Sequence, residues 1–421
     1  MSDRSKKAIF IAIFIAIVLG TGYLLYRLFF LPVISPAPVP GNVAVNGQLP
    51  TAGVGVPQPG VNVAPTGPGT GLPVTPEVPT PGAPTIPYVP PGGVAPSRTI
   101  VLSEQRTQAI SKNPSGNGVR VFNPTDGKFY RILDDGTLVP LSDNVFFNVS
   151  NVTWGKQSDK AILEYPDGTK TYYDFSTDKQ VTLPNYWEDF DFAPQDQQIV
   201  AKSNGNNDTA RFLIVSNPDG TNARPIAELG DQQDKVFASW SPNNQTVAYS
   251  LTGDPIGYDR QSILLIGQHQ ENFKDLVVEG RGFIPLWSPS GNNLLYSVYS
   301  SNEDYKPMLW VSGAAGDSVN AHRQSIGINT WADKCAWQSE QVIICAVPDQ
   351  IPGGAGLQRD ALMGNIPDHL YRLDLSSGTK VDLGIPDGNP TINQMTLSSD
   401  GQAVYYTEAN TGRLLRFSVA P

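Results

Sequence analysis

The chain has 421 residues and a formal net charge of −10; 16% of residues are charged, and it carries 40 Gly and 37 Pro. A nucleic-acid partner requires clustered Lys and Arg to neutralise phosphate, so this acidic balance argues against one. The length suits one large domain or two ordinary ones.

The first distinct element is AIFIAIFIAIVLGTGYLLY, an uncharged apolar run from Ala8 to Tyr26. Its 19 residues match what a helix needs to cross a bilayer core. Arg4, Lys6 and Lys7 precede it, whereas Arg27 is followed by no base before Arg98. The positive-inside bias therefore predicts residues 1–7 in the cytoplasm, a transmembrane signal anchor over 8–30 in contact with lipid, and everything later outside, periplasmic or at the cell surface. A cleaved signal peptide is the rival reading. The run exceeds a usual signal core, and no small-residue cleavage site or lipidation cysteine follows it.

Residues 31–97 are a different material, with Pro every few positions, Gly between, and Glu77 as the single charge. No apolar periodicity survives there, so the segment is expected to be a disordered linker. Its reach lies between roughly 45 Å as a coil and roughly 200 Å fully extended. Docking of its Pro pieces into an aromatic groove is the alternative use.

From Arg98 onward one pattern recurs seven times. The copies centre on ISKNPSGNGVRVF, VTWGKQSDKAILEY, FDFAPQDQQIVAKS, ASWSPNNQTVAYS, PLWSPSGNNLLYS, CAWQSEQVIICAV and MTLSSDGQAVYYT. Spacings of mostly 38 to 50 residues signal a solenoid, a propeller or an array. Each copy reads as a hairpin: a strand ending on an aromatic, a Ser-Pro-Asx-Gly turn, then an alternating strand such as TVAYS or NLLYS. Two further strands follow, as in RFLIVS and RPIAEL. Four short antiparallel strands per repeat describe a β-propeller blade, and helix-period runs are absent after Phe30. The expected fold is therefore all-β, a propeller over residues 98–421 with seven blades, six or eight being the alternatives.

The last copy has three strands, while TIVLSE, Thr99 to Glu104, is an orphan strand before the first. Pairing it with the C-terminal blade would close the ring and remove an open edge. The recurring Trp240, Trp287 and Trp337 are then expected to pack between blades; an aromatic ligand box is the alternative.

WSPNNQTVAYS and WSPSGNNLLYS resemble the TolB-like family of WD40-like propeller repeats, whose signature is close to W-S-P-D-G followed by I-A-F. The resemblance spans Arg98 to Pro421, though the first, second and seventh copies have lost the aromatic-Ser-Pro core. It implies a propeller outside the cytoplasmic membrane that acts through its surfaces.

Catalytic and metal signatures are missing: no G-x-S-x-G, no H-E-x-x-H, no paired C-x-x-C and no calcium loop. His269, His322 and His369 fall in different repeats. The acidic clusters at Glu188, Asp189 and Asp191 and at Asp134 and Asp135 read as solvated turn carboxylates, weak Ca²⁺ binding being the alternative. No cofactor is expected, and the chain is expected not to be an enzyme. Cys335 and Cys345 would lie opposite each other if residues 338–342 turn a hairpin; a cross-strand disulfide or two small buried hydrophobes are both open.

What remains is an asymmetry of loops. Between the second and third strands, copies three to six carry long segments: NGNNDTA, LTGDPIGYDRQ, YSSNEDYK and PDQIPGGAGLQRDALMGNIPD. They hold Tyr258, Asp259, Arg260, Tyr299, Asp304, Tyr305, Arg359 and Asp360, a composition common at interfaces. These residues are the candidate binding site. The expected function is a membrane-tethered, non-catalytic scaffold that binds protein components of the cell envelope. A module binding glycan or a small molecule in the central funnel is the alternative.

Overall fold

The computed structural model describes residues 97–359 and 366–419. The anchor expected at 8–30 and nearly all of the linker expected at 31–97 lie outside the described residues. Those described form seven antiparallel sheets, which makes seven blades. The first strands of the blades are Gln108–Lys112, Asn151–Trp154, Trp187–Phe192, Val236–Ala238, Arg281–Trp287, Cys335–Trp337 and Ile392–Leu397. First strands of adjacent blades touch one another across most of the seams, so they are the innermost, around the axis.

Each blade is sandwiched between two others, and this sets the pattern of its middle strands. Val119–Asn123 is buried at every position, and Asn293–Tyr299 is buried across its whole centre. The alternation expected for such strands is thus not an inside-outside one. Both faces are covered, as in any sheet packed on two sides, so continuous apolar runs are tolerated there. The buried side chains fall into seven clusters, one per seam. Ala193, Val200 and Leu213 of blade 3 meet Trp240 and Val247 of blade 4, for example. Leu102, Val119, Val121 and Tyr405 fill the seam between blades 7 and 1.

The fourth strand of blade 7 is Thr99–Ser103, which pairs antiparallel with Leu414–Ser418, Thr99 opposite Phe417. Arg98 fastens this join: its guanidinium donates to the carbonyls of Leu383, Ser418 and Val419 and sits 4.5 Å over the Phe417 ring. The sheet is therefore built from both ends of the propeller segment.

Polar side chains stitch the Ser-Pro turns into a ring on one face, with a link across every seam. Arg120 of blade 1 donates to the Ser158 carbonyl of blade 2 at 2.6 Å, and Asp196 of blade 3 accepts from Gln157 N–H at 2.8 Å. Asn244 donates to Gln195, Asn243 to the Gly291 carbonyl, and Ser290 N–H to Glu340. Gln338 donates to the Gly401 carbonyl and Ser399 to that of Gly116, completing the circle. Arg120 is fully buried and lies 4.6 Å over Trp154; burial lowers its pKa to about 10, still well above neutrality.

The repeated indoles are seam elements. Trp154 donates its ring N–H to the Ala109 carbonyl of the preceding blade at 2.6 Å, and Trp337 to that of Leu286 at 3.3 Å. Trp240 is 1% exposed and bonds Asn244 in its own turn. Cys335 and Cys345 face each other on paired strands of blade 6 and are bonded, with Cα atoms 4.0 Å apart.

The acidic cluster of blade 3 needs correcting. Glu188, Asp189 and Asp191 are not on a turn but on the innermost strand, whose register shifts between Glu188 and Asp191. Asp189 accepts the Ala238 N–H of blade 4 and Asp191 accepts that of Trp240. Burial raises the Asp189 pKa, partly offset by Ala238 and Lys202. Asp189 and Asp191 thus bind blade to blade where the innermost strands of blades 3 and 4 touch, while Glu188 bonds Asn204 of its own blade.

A candidate recognition platform on the long-loop face

The long loop of blade 4 is itself structured. Pro255–Ile256 folds back on Arg260 and Gln261, so Tyr258 stands at a hairpin tip, 81% exposed. Asp259 beside it accepts a hydrogen bond from the Ser301 hydroxyl, in the loop of blade 5. That loop makes one 3-10 turn, Ser301–Glu303, then holds Asp304 and Tyr305 in the left-handed region at φ 51° and 55°. Two such residues in succession are uncommon for non-glycine side chains. They turn two carbonyls toward blade 6, where Gly354 N–H donates to Asp304 at 2.7 Å and Gly356 N–H to Tyr305 at 2.8 Å. The loops of three neighbouring blades are thus joined by direct hydrogen bonds.

A groove of about 440 Å³ opens between the loops of blades 4 and 5. Ile256, Met308 and Trp310 give it an apolar floor; Asp259, Arg260, Glu279 and Glu303 give it charge. Glu279 is held by Arg323 at 2.9 Å, with Arg260 at 3.8 Å on its other oxygen. At the rim, Tyr305 lies beside Tyr258, which with partial burial and Asp259 raises its pKa. Asp259, Glu279 and Glu303 against Arg260 and the Arg323 on Glu279 leave the groove a small excess of negative charge.

The structure brings Tyr258, Asp259 and Arg260 together on this groove, with Tyr305 beside Tyr258 and Asp304 supplying backbone. Arg359 is placed elsewhere: its guanidinium pairs with Asp333 at 2.5 Å and covers Trp331. Tyr299 is a wedge under the loops. A Cβ on Gly282 or Gly356 would come within 2.3 Å or 2.5 Å of it, so the two glycines exist to admit it. Asp360 lies outside the described residues. Glu279, Met308 and Trp310 escape the loop-based reading because they sit on a blade connection and a strand. The signal available was that connections between blades share this face.

His369 lies 3.2 Å from Asp349 and stacks on Tyr371, apart from the other two histidines. Among the described residues no group of three or more His, Cys, Asp or Glu side chains could hold a metal ion.

No family model and no curated protein sequence matches the chain. Solved structures do resemble it. An oligogalacturonate lyase in complex with manganese superposes with a TM-score of 0.53 at 13% identity, over 76% of this chain and 92% of that one. The β-propeller domain of Cps50 from Myceliophteria thermophila gives 0.50 at 10% identity, over 76% and 99%. A GH74 enzyme from Niastella koreensis gives 0.50 at 12%, over 76% and 53%. At such identities the likeness is one of fold. It corrects the expectation that the chain is not an enzyme: a lyase and a GH74 enzyme share this architecture, so neither the fold nor the missing motifs excludes catalysis.

Proposed function

We propose that the chain is a propeller of the TolB-like kind, tethered to the cytoplasmic membrane and held outside it on a Pro/Gly-rich spacer. There, the joined loops of blades 4, 5 and 6 recognise a protein of the cell envelope through a segment carrying an apolar side chain beside a basic one. The observation that carries this reading is loop continuity. Asp259 to Ser301, Asp304 to Gly354 and Tyr305 to Gly356 make one platform from three loops, ordered before any partner arrives. A preordered surface spares the entropy of immobilising loops on binding. The apolar run at Ala8 to Tyr26, its preceding bases and the disulfide agree with an oxidising compartment beyond a membrane.

The test places a photo-crosslinking residue at position 258 of the full-length chain in its native cells. A discrete adduct with one envelope protein, lost when Arg260→Glu and Tyr305→Ala are added, is the expected result. Equal labelling from a reporter at Leu138, on a distant edge, would overturn the reading.

A further inference from the structure

The opposite side of the same face is built differently. In blades 1, 2 and 7 the second and third strands are joined by residues 124–127, 165–169 and 409–413, so no long loop overhangs the ends of their innermost strands. A cavity of about 280 Å³ lies there, where the three blades meet. Four side-chain amides line it, those of Gln108, Asn151, Asn393 and Gln394, together with Thr407. Amides and hydroxyls both donate and accept.

Thr407 supplies the second observation. It is 2% exposed, and its Oγ1 is buried with no hydrogen-bond partner among the described residues. The repeats themselves provide the comparison. At the same place in its copy, Ser297 accepts the Ala332 N–H of the next blade at 3.2 Å, and Ser250 bonds Thr252 at 2.8 Å. Buried polar groups are paired as a rule, and leaving one unpaired is costly. Thr407 lines the cavity, and its hydroxyl has no such neighbour among the described residues.

Charge narrows the ligand. Glu408 lines the cavity, but its carboxylate is taken by Arg413 at 3.0 Å and by Thr411. Arg106, exposed at the edge, makes no ion pair among the described residues. Apart from Arg106 at the edge, the described lining carries no unpaired charge and is rich in amides. Asn151 donates to Glu164 at 2.6 Å and Gln394 accepts the Ile110 N–H at 3.4 Å, each keeping its other amide atom free to bond a ligand. Its volume falls at the lower limit of ligand clefts, roughly 300 Å³, enough for one ring and not a chain.

We infer that this cavity binds a single neutral sugar ring, its vicinal hydroxyls held by the amides of Gln108, Asn151 and Gln394 and by Thr407 Oγ1. The site is separate from the platform of blades 4 to 6. Saturation-transfer NMR on the detergent-solubilised full chain tests it with glucose, N-acetylglucosamine and glucuronate as probes. A neutral sugar should bind, Thr407→Val and Gln108→Ala should each weaken it at least tenfold, and Tyr258→Ala should leave it unchanged. Thr407→Val should keep the wild-type melting temperature, because the hydroxyl it removes has no partner to lose. No transfer from either neutral sugar, or equal binding by Thr407→Val, overturns the inference. Binding of glucuronate alone overturns it too and assigns the site to Arg106.

Discussion

The indole N–H of Trp287 donates to the hydroxyl of Ser239 at 2.9 Å, across the seam from blade 5 to blade 4. With Trp154 on Ala109 and Trp337 on Leu286, the same reach backward occurs in three seams. A propeller has no central core, so each seam must specify its own geometry, and a large ring with one polar handle does both tasks.

Removing that handle while keeping a six-membered aromatic ring in the seam should therefore cost less than removing the side chain. Trp287→Phe is expected to lose about 1 kcal/mol, the net worth of a typical hydrogen bond. Trp240→Ala, at a fully buried site, should lose about 3–5 kcal/mol. Guanidinium unfolding followed by far-ultraviolet circular dichroism measures both. Equal losses would mean that the ring contributes no more than the bond.

Closure of blade 7 should matter as much as any seam. Leu102 is 5% exposed in the cluster between blades 7 and 1. Leu102→Ala should destabilise by about 2–5 kcal/mol, and deletion of residues 98–106 should lower the melting temperature further by exposing the edge of Leu414–Ser418. A melting curve unchanged by the deletion would show that the strand is dispensable.

Lys334 and Asp368 form an ion pair at 2.7 Å that is almost wholly buried, and Asp368 also accepts the Ile392 N–H of blade 7. Desolvation lowers the lysine pKa and raises that of the aspartate, each pulled back by its partner. Asp368→Asn should cost about 3–5 kcal/mol, because it leaves a buried charge uncompensated. Adding Lys334→Met should recover most of that loss. If the double variant is no more stable than the single one, the pair is not the source of the effect.

The repeat was legible because its signal is local. Aromatic, Ser-Pro turn and apolar run lie within a dozen residues, and seven such units at blade spacing leave few architectures open. The candidate site was legible only in part. Tyr258, Asp259 and Arg260 do line one groove, with Tyr305 beside Tyr258, yet Tyr299, chosen on the same grounds, is a wedge between Gly282 and Gly356. Type and loop position cannot tell an exposed tyrosine from one that backbone closes over.

By itself, then, the sequence determined an all-β propeller and pointed to seven blades with six or eight left open, since strand period, turn chemistry and repeat length are properties of consecutive residues. The sheets settle the count at seven. Only the tertiary structure decided which blades' loops join, that Asp189 and Asp191 bridge blades instead of facing solvent, and that Thr407 lines a cavity with a hydroxyl that lacks the partner its equivalents Ser250 and Ser297 have. Each of those depends on what the ring's curvature brings alongside, from a neighbouring blade or from the far end of the chain. The spacing of residues along one blade carries no record of it.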